Sequence, residues 1–260
     1  MDDARPPITV TWIGHSTVLF EIDGFRVLTD PALTSRLAHL RRRTSAPTID
    51  PVDVVLISHV HMDHLHLRSL KLVAAGARVI VPAGAERLVA TVGSASITRV
   101  TAGQRLILRA ATERAAAIEI EVVRADHLAG RGPHSKVTAT PVGHIVRCGD
   151  RAIYFAGDTD LFDEMHDFGP IDLALIPIWG WGPTLGERHL DPLSAATATE
   201  WIRPRQVVPI HWGTYSPVRA GRGDPAWLND ALPAFRNALA TVGLQDRLVA
   251  VNPGGSVRLS

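Results

Sequence analysis

His59-Val60-His61-Met62-Asp63-His64 concentrates three imidazoles and a carboxylate in one short stretch. Imidazole nitrogen and carboxylate oxygen suit zinc and other divalent cations, whereas the chain's single cysteine, Cys148, excludes a Cys-based zinc cage and an intramolecular disulfide. His59 and His61 share one side of an extended or tightly turned backbone. Asp63 and His64 follow within a turn and face a neighbouring point, so the spacing serves two adjacent cations. A His-rich helix cap with solvated side chains is the plainer alternative, but it does not explain a cluster placed directly after a buried strand. Serine chemistry would need a nucleophile elbow, and no Gly-x-Ser-x-Gly sequence occurs.

Further ligand candidates lie at expected strand ends. His127 closes the run before a loop in Ala125-Asp126-His127-Leu128, and His144 also precedes Asp158 at a plausible strand end. Asp158, in Phe155-Ala156-Gly157-Asp158-Thr159, could serve as a helix N-cap in isolation, but its position after an apolar strand suits a ligand. His211 follows a β-rich run in Pro209-Ile210-His211-Trp212-Gly213-Thr214. His189 precedes a Pro-initiated helix and could meet substrate. Arg41-Arg42-Arg43 is a compact basic run, either a solvated loop or an attractor for phosphate or carboxylate. Trp179, Trp181 and Trp212 could wall an apolar part of a substrate or pack their own loops.

These groups need a scaffold. Alternating apolar residues predict strands over 8–13, 17–22 and 26–29, with Asp23-Gly24 as a hairpin turn. The β-branched run 52–57 reads as a strand buried on both faces, followed by the histidine cluster, a helix over 65–75 ended by Gly76, and a strand over 78–81. Further strands are expected near 105–108, 118–124, 137–142, 152–155, 173–176 and 206–210, with helices over 192–202 and 226–242. Two strand-rich halves, each with helices, suggest two packed sheets with helices on their outer faces.

The chain has 260 residues, 46% hydrophobic and 20% charged, the balance of a globular protein. One domain spanning residues 1–260 is expected. A formal net charge of +1 gives no basis for wrapping nucleic acid. The first residues lack a basic start and apolar core, and no apolar run approaches the roughly 18 residues of a membrane span, so a cytoplasmic protein without integral membrane association is expected. Nothing in the sequence fixes an oligomeric state.

Trp12-Ile13-Gly14-His15-Ser16-Thr17, Leu28-Thr29-Asp30-Pro31, Ile57-Ser58-His59-Val60-His61-Met62-Asp63-His64, Ala156-Gly157-Asp158-Thr159, His189-Leu190-Asp191-Pro192 and His211-Trp212-Gly213-Thr214 occur in that order. The series resembles the metallo-β-lactamase superfamily over nearly the whole chain. More narrowly, it is similar to the branch containing N-acylphosphatidylethanolamine-hydrolysing phospholipase D and the ascorbate-6-phosphate lactonase-like proteins. The resemblance implies an α/β fold arranged as a four-layer αββα sandwich. It implies that His59, His61 and His127 hold one metal, that Asp63, His64 and His211 hold the other, and that Asp158 bridges them. His144 then becomes a supporting or core residue and His15 a buried structural one, while Asp63 and His189 are the catalytic candidates. The implied cofactors are two divalent ions, zinc by default, with manganese or iron as alternatives. The implied reaction is hydrolysis by a hydroxide generated at the metals. The expected substrate is a small-molecule or lipid-like phosphodiester, with a lactone or carboxylic ester as the alternative and metal-dependent ligand binding without catalysis as a further one.

Overall fold

A computed structural model describes residues 6–45, 48–93, 96–109, 117–132, 134–180, 182–218 and 223–259. The alternating N-terminal runs form the meander β1 (Ile8–Gly14), β2 (Thr17–Ile22) and β3 (Phe25–Thr29), all antiparallel. Asp23 and Gly24 link β2 to β3 with φ of 45° and 81°, and positive φ at both central residues is what a type I′ turn requires. After the short pair β4 (Arg36–Leu37) and β5 (Leu40–Arg42), β6 (Val54–Leu56) returns to lie parallel to β3. The helix α1 (Leu67–Val73), β7 (Arg78–Pro82), α2 (Glu86–Ala90) and β8 (Ser96–Val100) extend that sheet.

The next four strands, β9 (Arg105–Leu108), β10 (Ile118–Arg124), β11 (Val142–Cys148) and β12 (Arg151–Phe155), are antiparallel. Beyond them, β13 (Leu173–Pro177) and β14 (Gln206–Ile210) run parallel to β12, with α3 (Pro192–Ile202) as the crossover. Asp191 caps α3 through a reciprocal box with Ser194, and Pro192 occupies its first turn, so its start is written in the sequence. The chain ends with β15 (Tyr215–Pro217), α4 (Ala231–Thr241) and β16 (Gly255–Leu259).

The sheet orders are β16-β1-β2-β3-β6-β7-β8 and β14-β13-β12-β11-β10-β9, with a small ribbon β15-β5-β4 beside them. Trp12, Phe20 and Val27 of the first sheet share a buried core with Ile120, Val146 and Ile153 of the second. The outer face of the first sheet packs Val55 and Val79 against Leu70 of α1 and Val89 of α2. On the far side, Ala174 and Val207 join a core with Ala195 of α3 and Phe235 of α4. The order helix, sheet, sheet, helix is the expected αββα sandwich. Among the described residues no helix is long and apolar enough to cross a membrane.

Two expected elements are corrected. The strand placed over 137–142 lies instead at Val142–Cys148, because Pro141 has no N–H for a ladder and the apolar run beyond it pairs with β10 and β12 on both sides. The helix expected over 226–242 is broken into a 3₁₀ turn, Ala226–Asn229, and α4. Pro233 cannot donate to the turn before it, so the α-helix begins where Pro233 falls in its first turn.

Candidate metal centre

Four strands end at one rim of the sandwich. β6 runs into His59, β10 into His127, β12 into Asp158 and β14 into His211, so side chains far apart in sequence converge beyond the carboxyl ends of the strands. The backbone is forced there: His15, Asp30 and His211 adopt φ of 56°, 29° and 64°, conformations that cost non-glycine residues energy and cluster at functional sites. Gly157 has φ of 64°, and a Cβ on it would lie 2.4 Å from Ser58 Cβ, so only glycine lets the Asp158 turn approach the histidine loop.

The first group is His59, His61 and His127. His59 Nε2 and His127 Nε2 lie 2.9 Å and 3.1 Å from His61 Nδ1. Ser58 Oγ donates to Asp30 Oδ2 and therefore accepts from His59 Nδ1 at 2.9 Å, which leaves His59 Nε2 without a proton. His127 Nδ1 donates to Arg188 O at 2.8 Å, so its Nε2 is bare as well. A proton on His61 Nδ1 would serve only one of the two.

The second group is His15, Asp63, His64 and His211. His64 Nδ1 donates to Asp30 Oδ2 at 2.7 Å and His211 Nδ1 to Trp179 O at 2.6 Å. Their Nε2 atoms then face each other, 3.1 Å apart. Asp158 Oδ2 stands 3.1 Å from His64 Nε2 and 3.3 Å from His211 Nε2, while its Oδ1 is buried without a hydrogen-bond partner. His15 Nε2 donates to Asp63 Oδ2 at 2.9 Å, and its ring lies against that of His211 with centroids 3.9 Å apart. His15 thus orients Asp63.

The electrostatics demand positive charge. Burial pushes His61 down to about 4 and His211 to about 3, so these rings stay neutral and able to donate lone pairs. Burial also disfavours a charged His64, yet Asp158 and Asp63 outweigh it and raise His64 well above the ordinary histidine range. Asp158 and Asp63 are held well below the usual carboxylate range, against burial, by His211 and His64 for the first and chiefly by His64 for the second. Bare nitrogens turned inward around ionised carboxylates, with one carboxylate oxygen orphaned, fit divalent cations.

His144 is not among these groups. It is fully buried within β11, its Nε2 donates to Ile57 O at 3.2 Å, and its ring lies parallel to that of Phe155. His189 does reach the rim: its Nε2 is 3.6 Å from Asp158 Oδ2 and its ring meets His127 edge-on. One expectation is corrected and one open alternative is decided. Arg41-Arg42-Arg43 is neither a solvated loop nor an anion trap. Arg42 is buried, bonded to Ile13 O and Ala32 O, while Arg41 and Arg43 grip Asp224. Trp212 does not line the site; it is buried against Trp12, with ring centroids 5.3 Å apart. Trp179 is half-buried, and Trp181 lies outside the described residues.

Sequence reasoning gave no role to Asp30, Ser58 or Arg131. Arg131 donates to Val60 O and Leu65 O and so braces both ends of the histidine loop. The Leu28-Thr29-Asp30-Pro31 motif pointed to Asp30 without showing its partner.

Residues 25–212 match the family model described as the β-lactamase superfamily domain. A metal-dependent hydrolase of Nitratidesulfovibrio vulgaris is 32% identical over 260 aligned residues, covering 96% of this chain and 95% of that protein. A metal-dependent hydrolase of Methanopyrus kandleri is also 32% identical, covering 95% and 98%. The solved structure of a metallo hydrolase from Ignicoccus hospitalis superposes with a TM-score of 0.72 at 24% identity over 98% of this chain and 99% of that one, which shows the common fold. The chain belongs to the metallo-β-lactamase superfamily. Within that class it is a metal-dependent hydrolase.

Proposed function

We propose that this hydrolase cleaves a phosphodiester at a dinuclear centre. His59, His61 and His127 would hold one divalent cation and Asp63, His64 and His211 the other, with Asp158 shared between them. The observation that carries the reading is the inward-facing set of imidazole nitrogens around Asp158, whose Oδ1 is buried without a partner. Zinc suits this His-rich set best. The phosphodiester is supported by the resemblance of the ordered motifs, His189 among them, to the phospholipase-like branch.

Divalent cations bound here would supply Lewis acidity toward a phosphoryl oxygen and a water of lowered pKa. The chain's own contribution is orientation. Asp30 and Ser58 fix the tautomers of His64 and His59, and His15 fixes the Asp63 carboxylate. His189 donates its Nδ1 proton to Glu187 O, which leaves Nε2 facing the rim to exchange a proton with the leaving oxygen.

Protein of measured metal content, assayed on a panel of phosphodiesters and lactones, tests this reading. Two metal equivalents and turnover of phosphodiesters are expected, with both lost in His59→Ala. Turnover of lactones alone transfers the assignment to carboxylic esters, and a His59→Ala protein with full metal and activity removes the proposed centre.

A further inference from the structure

The parallel strands β12, β13 and β14 carry the metal centre at one end and a cavity of about 550 Å³ at the other. A strand of five residues separates the ends by roughly 17 Å. Arg151, Arg203, Arg205 and Arg247 line this cavity together with Gln206, and among the described residues Asp172 is the single carboxylate of its lining. Four guanidiniums against one carboxylate is a local concentration of charge, since the whole chain carries a formal net charge of only +1.

The existing contacts leave most of that charge unanswered. Arg151 is buried, donates from Nε to Pro6 O, and lies 3.5 Å through Nη1 from Asp172 Oδ1. Arg205 Nε lies 3.4 Å from the same oxygen, while Asp172 Oδ2 accepts from Ala152 N. Arg247 donates to Pro204 O, a neutral partner. Among the described residues, the Arg203 guanidinium has no hydrogen-bond or ion-pair partner. Arg203 also holds φ of 51° at the C-cap of α3, where glycine is the unstrained choice. The conformation therefore gives no reason for an arginine, whereas its charge at the cavity does.

We propose that this cavity binds a small, multiply charged phosphorylated anion, separately from the metal centre. Phosphate oxygens accept two parallel N–H bonds from one guanidinium, and an anion with more than one charged group can span several of the four. The concavity and volume suit a small molecule, and Gln206 adds a neutral polar contact.

Calorimetric titration of the protein with inorganic pyrophosphate in 0.15 M chloride tests the proposal. Three proteins are compared: wild type, Arg203→Ala/Arg205→Ala, and His61→Ala/His211→Ala. Arg203 and Arg205 are exposed, so the first variant is expected to unfold at the wild-type temperature. The expected result is saturable binding of one equivalent in wild type and in the histidine variant, weakened at least tenfold in the arginine variant. Wild type without saturable binding, equal affinity in the arginine variant, or binding abolished in the histidine variant each overturns the proposal. The last outcome assigns the anion to the metal centre.

Discussion

Asp30 Oδ2 lies 2.7 Å from His64 Nδ1, and both side chains are fully buried. The same carboxylate accepts from Ser58 N and Ser58 Oγ, so one residue sets the tautomer of His64 directly and that of His59 through the serine. Asp30→Asn keeps the shape but removes the charge that makes His64 a better donor. Residues in this supporting position are worth about 10–100-fold in metal affinity. The variant is expected to lose that much in competition with a chromophoric chelator while keeping its far-ultraviolet circular dichroism. Unchanged affinity would show that Asp30 serves only the strand end.

Chelation should weaken the fold as well as the activity. The His64 and His211 Nε2 atoms lie 3.1 Å apart beside Asp158, and a bound cation would take the place of the proton that His64 otherwise holds there. Metal at about 100 times its dissociation constant adds about 2.7 kcal/mol to folding. Protein treated with a chelator is expected to melt several degrees lower and to recover when a divalent metal is restored. A melting curve indifferent to both treatments would mean that these residues do not hold metal in the folded chain.

The parts of the centre legible in sequence were those whose chemistry is local. His59, His61, Asp63 and His64 announce themselves because they are contiguous, and Asp158 and His211 because each follows a strand whose apolar pattern is unmistakable. His127 and His144 could not be separated by pattern, since both stand near a strand end. The fold separates them by register: His144 lies within β11, paired to Val122 and Phe155, whereas His127 lies beyond β10. The support shell was hidden because its partners are remote, as with Asp30 and His64, or Arg131 and the carbonyls of Val60 and Leu65. The charged ribbon of β5 and β15 resisted prediction for a related reason, because Arg42 is buried by partners remote in sequence, Ile13 O and Tyr215 of β15 among them.

His144 should make stability depend on pH independently of the metals. Burial holds it at about 4, whereas the free side chain titrates near 6.5. As pH falls through 6.5 the unfolded chain takes up this proton, and the folded chain does not until about pH 4. Stability therefore falls with falling pH across that window, by up to about 3 kcal/mol for this one group. In chelated protein, His144→Leu is expected to flatten the slope of unfolding free energy between pH 6.5 and 4 relative to wild type. Parallel slopes for the two proteins would show that His144 titrates normally.

His189 offers the sharpest distinction between holding metal and assisting the reaction. Its ring is about one-fifth exposed and Nε2 lies 3.6 Å from Asp158 Oδ2, farther than either His64 or His211 stands from that oxygen. Its Nδ1 is committed to Glu187 O, so the free nitrogen points to the rim where a leaving group would depart. A residue that exchanges a proton there contributes typically 10²–10⁴-fold to turnover. His189→Ala is therefore expected to retain the wild-type metal content and melting temperature, with kcat reduced by about 10²-fold or more and KM little changed. The loss should be smaller for substrates whose leaving group is acidic enough to depart unprotonated. Loss of a metal equivalent in this variant would instead make His189 a ligand, and an equal loss across all leaving groups would assign it to substrate positioning.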